Sequence, residues 1–122
     1  MARILLLEDE YFLLRLFAKA LAAAGHDVDT AMSVEAAFEL LEAHSYDVFI
    51  SDIRIGQFDG ETLIARLGEI YVPSNCEILV ISAHMERYES LCRAVGLRNF
   101  LSKPFANATL VEAVQKILKG SP

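Results

Sequence analysis

The chain is short of several things at once. It has two cysteines, three prolines, six glycines and no tryptophan, and its 11 basic residues are outnumbered by 17 acidic ones. Cys76 and Cys92 stand alone, with no CxxC and no cluster of other ligands around them. That argues against a disulfide framework or a thiolate metal site and for reduced thiols in a cytoplasmic protein. The sparse prolines and glycines leave no linker, repeat or low-complexity stretch. A formal net charge of −6, with no basic stripe or arm, argues against direct nucleic-acid binding. No apolar run is long enough to span a bilayer. The N-terminal MARILLLEDE meets acids too early for a signal peptide, so neither a membrane nor a secretory route is expected.

What is present is a strongly apolar chain of 122 residues, 54% of them hydrophobic. That length fits a single domain over residues 1–122 with a real core. The apolar fraction is high for a soluble domain and permits some apolar surface to meet a partner. Ile4–Leu7, Val48–Ser51 and Ile78–Ser82 are continuous apolar runs, the mark of strands covered on both faces. Asp27–Met32 alternates, which suits a sheet edge, and Asn99–Leu101 is a weak strand before Lys103-Pro104.

Helical patterns fill the gaps. The first runs from about Glu10 to Ala24, with Leu13, Leu16, Phe17, Ala20, Leu21 and Ala24 on its core face and Gly25 as its stop. A second begins after Ser33, a third after Asp59-Gly60, a fourth spans about Glu86–Val95 before Gly96, and a fifth follows Asn107. Strict alternation of strand and helix predicts an α/β fold, a parallel sheet with helices on both faces. Right-handed crossovers then gather all strand C-termini at one edge, where ligands bind in open α/β sheets.

The residues at that edge are unusual together. Strand one ends in Glu8-Asp9, strand three in Asp52, strand four in Ser82-Ala83, and strand five in Lys103-Pro104. Two carboxylates about 4 Å apart repel by about 4 kcal/mol at an effective dielectric near 20, so three in one cleft must protonate or bind a cation. Oxygen-only donors with room for water favour Mg²⁺ over Ca²⁺. A lysine and a hydroxyl beside such a metal are what a phosphoryl group needs. Asp52, central in the sheet, is the natural nucleophile to accept that group.

With "FDG" at Phe58–Gly60, "ISA" at Ile81–Ala83 and "KPF" at Lys103–Phe105 in order around Glu8-Asp9 and Asp52, the sequence resembles the receiver domains of two-component response regulators. The resemblance runs from Arg3 to about Leu118. It implies a flavodoxin-like (βα)5 fold with strand order 2-1-3-4-5. It implies phosphotransfer to Asp52 from a histidine kinase or phosphotransfer protein, and a signal passed to a downstream protein effector. By the same resemblance Mg²⁺ is held by Glu8, Asp9, Asp52 and the backbone carbonyl of Arg54, Ser82 and Lys103 take the phosphoryl oxygens, and Phe100 stands at the family's switch aromatic. Gly56 departs from the family's usual proline and Leu97 from its usual alanine. Such a protein catalyses its own phosphorylation and dephosphorylation but is not an enzyme in the usual sense.

Taken singly, each residue has a plainer reading. An aspartate after a strand is often a turn or cap residue, Glu8-Asp9 could simply cap the first helix, and Lys103 before a proline could be solvated surface. Their joint order outweighs those readings. Tyr11, Leu14, Arg15 and Ala18 form a second stripe on the first helix, facing away from its core face, where the family docks its kinase. The chain starts just before strand one and stops just after the fifth helix, which fits a stand-alone receiver, with a receiver module of a larger regulator as the alternative. By the resemblance, the output face is formed by the fourth helix, fifth strand and fifth helix, and the high apolar fraction permits a homodimer through it on phosphorylation. Three other classes remain in view. Aspartyl phosphatases often carry a second Asp where Arg54 stands. A flavin-binding domain needs a phosphate loop where "EDEYF" stands. A phosphorylation-independent docking module would not need the full set of charged residues.

Overall fold

The computed structural model describes residues 1–120, with the side chains of residues 71–74 outside that description. The elements run β1 (Arg3–Leu7), α1 (Tyr11–Ala23), β2 (Asp27–Ala31), α2 (Val34–Ala43), β3 (Val48–Asp52), α3 (Gly60–Ser74), β4 (Glu77–Ser82), α4 (Met85–Ala94), β5 (Asn99–Ser102) and α5 (Asn107–Leu118). The five strands form one parallel sheet in the order β2-β1-β3-β4-β5. This is the flavodoxin-like arrangement expected from the alternation and the resemblance.

The continuous apolar runs are explained by what covers them. Successive strand residues point to opposite faces, and both faces are roofed. Ile4 and Leu6 of β1, Val48 and Ile50 of β3, and Leu79 and Ile81 of β4 pack under α1 and α5. Leu5, Leu7, Phe49, Ile78 and Val80 pack under α2, α3 and α4. Each fully buried Leu, Ile or Phe contributes about 1.5–3 kcal/mol of burial, so the two layers hold the strand ends in fixed register. The stacked rings of Phe17 and Phe105, 5.1 Å between centroids, tie α1 to the segment following β5.

Local chemistry sets the element ends. The Ser33 hydroxyl accepts from the Ala36 N–H at 3.1 Å and starts α2, and Asp59 accepts from the Thr62 N–H at 3.0 Å and starts α3. Asn107 is the first residue of α5 rather than its cap; Ala106 precedes it with no side-chain cap bond. After α1 and α4 the chain turns through Gly25 and Gly96, both at positive φ, where glycine carries no steric penalty.

The first helix is rotated from the expected orientation. Leu14, placed in the outward stripe, is 6% exposed and packs with Phe17 and Leu21 in the core. Leu16, placed on the core face, is 48% exposed, and Ala24 is also exposed. The physical reason is that α1 is apolar nearly all round, so two overlapping stripes satisfy the same period. The neighbouring α5 decides between them.

Candidate functional site

The strand C-termini bring Glu8, Asp9, Asp52, Ser82 and Lys103 to one edge of the sheet. Glu8 and Asp52 are buried although both are acids, at 1% and 5% exposure. Burying a lone carboxylate is costly, so each needs a partner. Both find the same one. Lys103 Nζ lies 2.6 Å from Glu8 Oε1 and also donates to Asp52 Oδ2, joining residues 95 and 51 positions away in the chain. The backbone completes the carboxylate shells. The Glu10 N–H donates to Glu8 Oε2 at 3.0 Å, and the Arg54 N–H donates to Asp52 Oδ1 at 3.0 Å.

The electrostatics follow from that crowding. Burial pushes the Glu8 carboxyl above its ordinary range, and the charge of Asp52 adds to the push, against the bonds from Lys103 and Glu10. Burial also pulls on the Lys103 ammonium, but its hydrogen bonds to Asp52 and Glu8 prevail and hold it above an ordinary lysine. Lys103 thus stays charged, and one cation serves two buried acids.

Asp9 is exposed, and its Oδ2 accepts from the Gly56 N–H at 2.7 Å, tying the β1–α1 loop to the β3–α3 loop. Ser82 is buried, and its Oγ accepts from the His84 N–H at 2.9 Å, which leaves the hydroxyl proton free to donate elsewhere. The Lys103 N–H donates to the Ser82 carbonyl at 2.9 Å, so the two strand ends are locked together. Phe100 lies half-buried on β5, beneath the Arg93 guanidinium at 4.8 Å, and Arg93 is itself paired with Glu89 at 2.9 Å.

A cation fits the donor set by its chemistry. Every available donor is oxygen, and the two buried carboxylates exceed the single ammonium by one charge. Among the described residues no three acid, histidine or cysteine side chains close into a ready cage.

The helix-one stripe is split by the structure. Tyr11 and Arg15 are exposed, Ala18 is half-buried and Leu14 is in the core. All four still line one groove of about 560 Å³ between α1 and β2. Sequence reasoning missed Phe12, 80% exposed beside Tyr11. Its absence from either apolar stripe was the available signal. The spacing of Glu8 and Lys103 likewise gave no hint that they bond directly.

The comparisons with known proteins bear on this edge of the sheet. A family model described as the response regulator receiver domain matches residues 4–115. The chain belongs to that family. Receiver domains are signalling modules of two-component systems rather than typical enzymes. This receiver is 29% identical over 121 residues to the transcriptional regulatory protein GlrR of Escherichia coli (strain K12), covering 98% of the chain and 27% of that protein. It is 30% identical over 125 residues to a CpxR homolog, named a transcriptional regulatory protein, of Haemophilus influenzae, covering 99% of the chain and 52% of the relative. The chain therefore spans between about a quarter and a half of these relatives. Its fold matches a Francisella response regulator 1452 receiver domain with a TM-score of 0.84 at 22% identity, over 100% of both chains. Among the described residues no helix is long and apolar enough to cross a membrane.

Proposed function

We propose that this receiver is a phosphorylation switch whose phosphoacceptor is Asp52. The observation that carries the reading is the bond from Lys103 to Asp52, which brings a charged ammonium from the far strand to the central carboxylate. In transfer from a phosphohistidine, an Asp52 carboxylate oxygen attacks phosphorus, the P–N bond breaks, and the imidazole nitrogen keeps the bonding pair and takes a proton. The Lys103 ammonium then moves its charge toward the phosphoryl oxygens, and the Ser82 hydroxyl, already oriented by the His84 N–H, donates to another. Glu8, Asp9, Asp52 and the Arg54 carbonyl would hold Mg²⁺. When bound, that ion draws negative charge off the phosphoryl group.

The donor would be a histidine kinase or phosphotransfer protein docking on the first helix, through Tyr11, Arg15 and the groove they line with Leu14 and Ala18. The signal would leave through α4, β5 and α5. Movement of Ser82 toward phosphate would free room for the Phe100 ring to turn inward, away from Arg93. The effector would be a protein, since the net charge of −6 disfavours nucleic acid, and a homodimer through the same face is compatible with it. Two buried thiols, pushed up to about 12 for Cys76 and 11 for Cys92, fit a reducing cytoplasm. The partial coverage of the named transcriptional regulators equally favours a receiver module within a longer regulator.

Beryllofluoride, a mimic of the aspartyl phosphate, tests the switch. With Mg²⁺ it is expected to bind and to move the amide resonances of Ser82, His84, Phe100 and Lys103. No shift in a folded sample would leave a docking module that works without phosphorylation.

A further inference from the structure

Phe100 stands on β5, the edge strand next to β4. In the parallel register it pairs with Val80, and two residues on Ser102 pairs with Ser82. Residues two apart on a strand share a face, so Phe100 and Ser82 lie on the same side of the sheet. That side is the one α4 covers, and Phe100 packs against the core there with Met85 and Cys92 of α4. The chain passes from Ser82 into α4 through Ala83 and His84, whose N–H donates to Ser82 Oγ at 2.9 Å. The Phe100 side chain therefore has the Ser82 hydroxyl toward one end and the last turn of α4 toward the other.

The last turn of α4 holds it. The Arg93 guanidinium carbon lies 4.8 Å from the centroid of the Phe100 ring. Arg93 is itself aimed by Glu89, one turn earlier on the same helix, whose Oε2 accepts from Arg93 Nε at 2.9 Å. Phe100 is otherwise only half-buried and lines an open cleft of about 450 Å³ along β5 and α5. Among the described residues no second aromatic ring stacks on it. The attraction of a cation to an aromatic face requires that face within about 6 Å. A ring turned toward Ser82 would leave the guanidinium, which Glu89 keeps over the last turn of α4. The contact thus belongs to one position of the ring.

We propose that Arg93 is a positioning residue that biases the receiver toward its resting state by holding the Phe100 ring outward, with Glu89 aiming it. The inference rests on the proposed function, in which phosphorylation of Asp52 is coupled to an inward turn of Phe100. A contact made in only one of two states stabilises that state alone. A ligand that favours the inward ring must first break the contact, so its apparent affinity is lowered by the outward bias. Removing Arg93 should therefore tighten binding at Asp52. A residue that merely props up the fold would weaken that binding or leave it unchanged.

The test titrates beryllofluoride, with Mg²⁺, into the native chain and into Arg93→Ala by calorimetry. Arg93→Ala should bind about two- to fivefold more tightly, the factor equivalent to one exposed cation–π contact. Arg93→Lys keeps a cation and should recover part of the native affinity. Glu89→Gln leaves the guanidinium in place but weakens its tether, and should shift the affinity in the same direction by less. In a Phe100→Leu background Arg93→Ala should have no effect, because the ring it acts through is gone. Fluorine NMR of protein labelled with 4-fluorophenylalanine gives a second readout. The Phe100 signal of unliganded Arg93→Ala should lie closer to its beryllofluoride-bound position than that of the native chain. An affinity equal to or weaker than the native one in folded Arg93→Ala overturns the proposal, and so does an equal gain in the Phe100→Leu background. A folded native chain that binds no beryllofluoride overturns the phosphoacceptor reading itself, so the two failures are told apart.

Discussion

At the scale of single residues, Lys103 is the pivot of the site. Its ammonium is the common partner of two buried carboxylates, and the raised affinity for its own proton means that its stabilising contribution is fully present at all pH values below the ordinary lysine range. Removing one partner of a buried ion pair leaves uncompensated charge, typically at a cost of about 3–5 kcal/mol. Lys103→Met should lie near the low end of that range, about 3 kcal/mol, because the Lys103 side chain retains 16% exposure. The loss should also depend on pH in a definite direction. Burial already raises the Glu8 carboxyl above the ordinary glutamate value, and the lysine opposes that rise. Without the lysine the folded state holds the Glu8 proton more tightly than the unfolded chain does. The deficit therefore grows as pH rises above about 4.5 and shrinks as pH falls toward it. Urea unfolding of both proteins at pH 5 and pH 8, in Mg²⁺-free buffer, checks this. An equal deficit at both pH values would contradict the charge account.

At the scale of elements, the sheet was legible in the sequence and the helix orientation was only partly so. Strands β1, β3 and β4 announced themselves because both of their faces are covered, which leaves no polar position to break the run. Helices α2 and α3 announced their starts through Ser33 and Asp59, whose side chains accept from the N–H three residues on. Helix α1 was harder, because Phe12, Leu13, Leu14, Leu16 and Phe17 offer apolar side chains in nearly every direction. Only packing against β1 and α5 shows that Leu14, Phe17 and Leu21 form the inner row. Mutation can test that assignment. Leu14→Ala should cost about 2–5 kcal/mol, as for a core leucine. Leu16→Ala should change stability by no more than about 0.5 kcal/mol. Chemical denaturation of the two variants decides it, and the reverse ranking would restore the orientation read from periodicity. Because Leu14 sits in the core, a docking test on α1 belongs at Tyr11, Phe12 or Arg15, where a surface change leaves the fold alone.

At the scale of the whole molecule, the candidate site could be located from sequence because topology does the gathering. A parallel sheet must deliver the residues after β1, β3, β4 and β5 to one edge. Which atoms bond there was not legible. The Lys103 link to Glu8 crosses from β5 to β1, and the Asp9 bond to Gly56 spans two loops. Both depend on side-chain reach that spacing does not encode. The molecule that results has a rigid two-layered core and an edge where negative charge is in excess and held in check by one lysine. Under the proposed function such an edge would receive a divalent cation and a phosphoryl group, and its far side carries Phe100 under Arg93, a contact that a turn of the ring would break. The measurement that bears most directly on this account is the intact mass of the native chain and of Asp52→Asn after incubation with Mg²⁺ and a small phosphodonor. One added phosphoryl group on the native chain, and none on the variant, is the predicted result. Equal addition to both, or none to a folded native chain, would contradict the assignment of Asp52.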